Sequence, residues 1–326
     1  MVDAKKSRVK WTLSTDDSVL PRGVRTLTAA EVGVVFQPIV DVFTGTTFAY
    51  EALVRCRRPE YAAPPVLFER AVAEGACGKL GRVIRDVAFA TCGDVALFVN
   101  LHPDELSARW LVQPDDPIGF HTRDVYIELT ESASLSHFDL CRDIIAELAG
   151  RTGARLVIDD FGAGYSNLER MVDLEPAVVK LDLALTRGVH LHPRKQAVVR
   201  HVVNLCKELG ASVVAEGVET LDELKAVRDL GVTYAQGYLL ARPAAPPPVA
   251  SWPLETRPIE ARPRGPRPPP LAAPLATPLP ARKPTPTESK RPGSRSNRPS
   301  MSAGKPSARP PKVSVRPTRP APRPKG

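Results

Sequence analysis

The stretch Arg155-Leu-Val-Ile-Asp-Asp-Phe-Gly-Ala-Gly-Tyr-Ser166 decides the fold. Its apolar run reads as a buried strand, which ends on two consecutive carboxylates before glycines turn the chain away. The same grammar repeats outward from it. Short apolar or alternating runs fall at residues 34–41, 48–55, 95–101, 125–131, 155–162, 177–183, 212–217 and 234–242. Helical periodicity fills 65–90, 136–149, 193–209 and 221–230, and Gly150 and Gly210 read as the stops of the second and third of these helices. The connection Asp41-Val-Phe-Thr-Gly-Thr-Thr47 is too short for a helix and reads as a hairpin turn, so one strand is expected to run antiparallel to the rest.

Repeated β-α units fit either an open doubly wound sheet or a closed (β/α)8 barrel. The strand ends decide between them. Glu51, Asn100, Glu128, Asp159 with Asp160, Lys180 with Asp182, Glu216 and Gln236 close nearly every strand. An open sheet collects such groups at one switch point, whereas a barrel gathers them all around one mouth. Carboxylates crowded there repel one another unless cations neutralise them, and hard oxygen ligands select Mg2+ or Mn2+ over zinc. The adjacent pair Asp159-Asp160 is suited to serving two ions, the usual apparatus for displacement at phosphorus. The glycine loop after it lacks the GK[ST] of a phosphate-binding P-loop.

Composition limits the rest. The chain has 326 residues with 43% apolar content, which excludes disorder throughout. Charge is split, with 17 Lys+Arg against 3 Asp+Glu after residue 250, and 28 against 33 before it. Of the 35 prolines, 21 also follow residue 250, including the run at 266–270. Such a segment cannot bury enough apolar surface to offset its chain entropy. The expected organisation is therefore a short extension (1–30), the barrel (31–245) and a disordered Pro/Arg/Lys-rich tail (246–326). The extension is too short for a sensory domain, and Thr28-x-x-Glu31 fits the cap of an entry helix. A tail this basic is expected to meet an acidic partner, whether protein, nucleic acid or an anionic surface. No run is long and apolar enough to cross a bilayer and no signal peptide is evident, so a cytoplasmic location is expected. The five cysteines form no CxxC pair and read as reduced, buried thiols.

The motifs Tyr50-Glu-Ala-Leu-Val-Arg55, Phe98-Val-Asn-Leu101, Glu128-Leu-Thr-Glu131, Asp159-Asp-Phe-Gly-Ala-Gly-Tyr-Ser166, Lys180-Leu-Asp182, Glu216-Gly-Val-Glu219 and Gln236-Gly-Tyr238 resemble the EAL-domain family of cyclic di-GMP phosphodiesterases. The resemblance covers residues 30 to 245 and implies a modified TIM barrel with one antiparallel strand. It implies that Glu51, Asn100, Glu128 and Asp159 hold a first Mg2+ or Mn2+ ion and that Asp159 and Asp160 serve a second. Lys180 would then hold the attacking water and Glu216 would orient or deprotonate it. By the same resemblance Gln37, Leu53, Arg55, Asp182, Glu219 and Gln236 belong to the substrate wall, and Glu131 anchors the loop at 161–167. That loop would couple metal occupancy to a homodimer through the barrel. The implied activity is hydrolysis of cyclic di-GMP to linear pGpG. The competing reading is an idle module that acts as a cyclic di-GMP receptor or scaffold with output through the tail; its hallmark would be a lost ligand, and none is lost here.

Overall fold

A computed structural model describes residues 23–107, 115–130, 138–162 and 168–255. Among them, eight strands close into a barrel in sequence order. They are β1 (Val32–Asp41), β2 (Thr47–Cys56), β3 (Leu97–Asn100), β4 (Val125–Thr130), β5 (Arg155–Phe161), β6 (Val178–Leu181), β7 (Ser212–Ala215) and β8 (Tyr234–Ala235). β1 pairs antiparallel with both β2 and β8, and every other pair is parallel. The short connection expected after β1 is the cause: Asp41 Oδ1 accepts from the backbone N–H groups of Phe43 and Thr44 at 2.8 and 2.9 Å, and Gly45 takes a φ of +72°.

The helices are α1 (Pro64–Ala73), α2 (Cys77–Thr91), α3 (Pro103–Ser107), α4 (Phe138–Thr152), α5 (Leu168–Leu174), α6 (Leu183–Thr186), α7 (Pro193–Glu208) and α8 (Leu221–Asp229). Three details depart from the sequence reading. The single helix expected over 65–90 is two, because Gly75 at φ +59° ends α1 and the N–H groups of Glu74, Gly75 and Ala76 fold back onto its last carbonyls. Gly150 lies inside α4, and the left-handed residue that stops that helix is Gly153. No entry helix follows Thr28. Instead Glu31 Oε2 accepts from the Thr28 N–H and hydroxyl, both at 3.1 Å, in a turn that leads directly into β1.

Side chains on a strand alternate between its two faces, and here the inward set falls into two layers. The lower is apolar and includes Ala49, Phe98, Tyr126, Val157, Val178 and Val214. Phe98 stacks on Tyr126 with ring centroids 4.4 Å apart. Two residues further along the same strands stand Glu51, Asn100, Glu128, Asp159, Lys180 and Glu216. The apolar plug therefore forms the floor of a polar cup. Outside the strands, two larger apolar clusters bury the inner faces of the helices.

The chain also stays on the barrel beyond residue 245. Ala244 bridges to Phe36, the Tyr50 hydroxyl donates to the Pro248 carbonyl at 3.1 Å, and Ala250, Trp252 and Leu254 pack on the larger core cluster. Residues 246–255, counted with the tail in the sequence reading, thus bury apolar surface. Residues 256–326, including the proline run, lie outside the described residues. Among the described residues no helix is long and apolar enough to cross a membrane, and Cys56, Cys77, Cys92 and Cys206 are buried free thiols.

Candidate active site

Lys180 organises the cup. Its ammonium, 1% exposed, lies 2.7 Å from Glu128 Oε1, 2.7 Å from Glu216 Oε1, 3.0 Å from Asp159 Oδ1 and 3.5 Å from Glu51 Oε2. Four carboxylates, three on strands β2, β4 and β5 and one just past β7, share one cation. Burial alone would push the lysine down, but Glu128, Glu216, Glu51 and Asp159 together hold it well above its ordinary range. The surplus negative charge appears on the acids. Burial and then Glu51 push Glu128 well up against the pull of Lys180. Burial pushes Glu216 up to about 8, with Lys180 opposing and Asp159 and Glu51 adding to the rise.

Glu51 is held from the other side by amides. Asn100 Nδ2 donates to its Oε1 at 3.3 Å, and Gln236 Nε2 donates to its Oε2 at 2.6 Å. Gln236 Nε2 also reaches Gln37 Oε1 at 3.1 Å, and Gln37 Nε2 donates to the Ala241 carbonyl at 3.1 Å. Gln37, expected on the substrate wall, is thus a link in the chain that orients Glu51. Contrary to the strand-end expectation, Glu51 sits in the middle of β2 opposite Gln37, because the β1–β2 hairpin rises past the rim of the barrel.

Asp160 breaks the alternation rule. After the inward Asp159 it should face out, yet one oxygen each of Asp159, Asp160 and Glu216 lie within 4.8 Å of one another. A register shift between Ile158 and Phe161 and a left-handed φ of +56° at Asp160 turn it inward. A non-glycine residue there costs about 1–2 kcal/mol. The Asp160 N–H donates to Asp159 Oδ1 at 3.0 Å, and burial followed by the Asp159 charge raises the Asp160 carboxyl.

Above the cup the raised hairpin carries Leu53 and Arg55 on the same face as Glu51. All three line a cleft of 390 Å³ that also includes Phe68, Asn100 and His102. Arg55 Nη1 donates to the Val54 carbonyl at 2.7 Å. Asp182 and Glu219 do not line this cleft. Asp182 caps α6 by accepting from the Ala184 N–H at 2.8 Å, and Glu219 pairs with Arg187 at 2.8 Å. Glu131 and residues 163–167 of the loop lie outside the described residues. The sequence reading missed Phe68 and His102, whose approach to the cleft depends on how α1 and α3 pack.

Metal fit follows from the donors. The wholly buried Glu128 has no hydrogen-bond partner of good geometry at either oxygen, and Gln236 Oε1 is buried without one. Five carboxylates and one amide, all hard oxygen donors, face a single ammonium. This donor set suits a hard divalent cation.

Fold and site together define a barrel with an acidic cup beneath a cleft at the carboxyl ends of its strands. The EAL domain family matches residues 23–243, and the chain belongs to that family. It is similar to cyclic di-GMP phosphodiesterase RocR of Pseudomonas aeruginosa, 32% identical over 233 residues, which are 68% of this chain and 59% of RocR. Cyclic di-GMP phosphodiesterase PdeR of Escherichia coli is 32% identical over 221 residues, 64% of this chain and 33% of PdeR. The manganese and cyclic di-GMP complex of Klebsiella pneumoniae BlrP1 at pH 6 superimposes with a TM-score of 0.58 at 33% identity, over 66% of this chain and 56% of that one. The chain thus spans less than two thirds of the length of each of these relatives.

Proposed function

We propose that the chain hydrolyses one phosphodiester bond of cyclic di-GMP and releases linear pGpG. The observation that carries this reading is the convergence of Glu51, Glu128, Asp159 and Glu216 on Lys180, with Asn100 and Asp160 beside them, under a cleft walled by Leu53 and Arg55. Relatives named cyclic di-GMP phosphodiesterases support the choice of substrate.

Glu51, Asn100, Glu128, Asp159 and Asp160 would hold two divalent ions, Mg2+ or Mn2+, which when bound supply Lewis-acid stabilisation of charge on the phosphate oxygens. Lys180, whose three N–H groups here meet Glu128, Glu216 and Asp159, would turn one of them to an attacking water once ions share those carboxylates. Glu216, beside it, takes a proton from that water in its ionised form as the new oxygen–phosphorus bond forms, and the phosphorus–oxygen bond to the ribose breaks as the departing oxygen takes a proton from solvent water. Arg55 offers a planar fork to a phosphate, and Leu53 apolar contact to the nucleotide.

Nucleotide chromatography of the full chain incubated with cyclic di-GMP and Mg2+ or Mn2+ tests the reading. Appearance of pGpG, reduced by several orders of magnitude in Glu51→Ala, Asp159→Ala and Glu216→Ala, is the expected result. Nucleotide that stays bound and uncut under both metals would favour the receptor reading.

A further inference from the structure

A second cluster of donors lies behind the cleft wall. Cys77 Sγ, a ring nitrogen of His102 and a carboxylate oxygen of Asp104 lie within 4.8 Å of one another. Cys77 is the buried first residue of α2, His102 precedes α3, and Asp104 belongs to its first turn. Sulfur, imidazole and carboxylate make a donor set unlike the oxygen-only cup, and only His102 of the three lines the cleft.

The cluster is braced before any ligand arrives. The His102 ring lies parallel to Phe68, with centroids 5.9 Å apart and planes at 9°. Its Nδ1 accepts from the Asp104 backbone N–H at 3.2 Å, which fixes the orientation of the ring. The His102 backbone N–H donates to Glu105 Oε1 at 3.0 Å, and Arg85 grips Glu105 Oε2 at 2.7 Å in the buried core. The spacing also suits an ion. Cys77 Sγ and Asp104 Oδ2 are 4.0 Å apart, too far for a strong hydrogen bond. Zinc–sulfur and zinc–oxygen bonds of about 2.3 and 2.1 Å at a tetrahedral angle place the two ligand atoms roughly 3.6 Å apart, a small closure from what is seen.

We propose that Cys77, His102 and Asp104 form a second metal site, which takes one borderline-soft divalent ion of the zinc class and leaves a fourth position to water. A thiolate with an imidazole selects such an ion over Mg2+ or Mn2+. Binding breaks the Cys77 S–H bond, forms a sulfur–metal bond and releases the proton to solvent.

Titrating the full chain with Co2+, a coloured stand-in for zinc, tests the site. The barrel cup has no sulfur ligand, so a thiolate-to-cobalt charge-transfer band reports this cluster alone and does not depend on the phosphodiesterase reading. The expected result is a band that saturates at one ion per chain, is absent in Cys77→Ser, and needs at least roughly tenfold more Co2+ in Asp104→Asn. No band in the unaltered chain under excess Co2+, or a band that persists in Cys77→Ser, would overturn the proposal. Should Cys77→Ser fail to fold, the exposed Asp104→Asn decides, and unchanged Co2+ affinity there refutes the site.

Discussion

Replacing Lys180 by Met is the sharpest test of how the cup is held together. Methionine nearly matches the lysine stem in volume, so the change removes the ammonium from between Glu128, Glu216, Asp159 and Glu51 with little cavity. Stripping one partner from a buried ionic cluster costs about 3–5 kcal/mol, since the charges left behind have neither water nor a counter-ion. At about 2–4 °C per kcal/mol for a domain of this size, the melting temperature in chelator should fall by roughly 6–20 °C. The deficit should shrink as pH is lowered. Glu128 and Glu216 already have raised pKa values, and losing the ammonium raises them further, so their protonation at lower pH removes the uncompensated charge. Mn2+ should raise the melting temperature of the variant more than that of the parent, because ions replace the missing cation. An ion at about one hundred times its Kd contributes about 2.7 kcal/mol. Thermal melts by circular dichroism, with chelator at two pH values and with Mn2+, measure all three effects. A drop equivalent to less than about 1 kcal/mol in chelator, or an equal gain from Mn2+ in both proteins, would refute the view that Lys180 neutralises this cluster.

Three further outcomes are expected. Gly81→Ala should lower the urea midpoint by the equivalent of about 1–3 kcal/mol, because an added methyl would meet the Glu105 carboxylate where it pairs with Arg85. A chain ending at residue 245 should melt below one ending at 255 by about 1–3 kcal/mol, since Trp252 and Leu254 lose their apolar contacts; equal melting would show that 246–255 contribute no packing. Asp160→Asn should stabilise the chelated protein by about 1 kcal/mol while abolishing pGpG formation, because it removes a charge crowded against Asp159 at a site kept for ion binding.

Most of the barrel and much of the cup could be read from residue order. A period of two along each strand is a local property, so the step from Phe98 to Asn100, or from Tyr126 to Glu128, shows directly which side chains share a face. The inward turn of Asp160 could not be read this way, because it depends on a register shift against β6. Glu51 was read as a strand end because the height of the hairpin above the rim is set by pairing with β1, not by the β2 sequence. Helix boundaries slipped for a similar reason. Gly75 and Gly153 end helices through their φ angles, whereas Gly150 looks equally able to do so in the sequence. The approach of Cys77, at the start of α2, to His102, in the connection before α3, joins residues 25 apart, which no periodicity encodes.

The antiparallel first strand gives the barrel a direction of travel. Val32, where β1 begins, lies beside Cys56 at the upper edge, while Trp252 packs against Gly45 at the underside. The described part of the chain therefore starts next to the mouth of the acidic cup and ends at the opposite pole. Residues 23 and 255 thus mark opposite poles, and only the first stands beside that doorway.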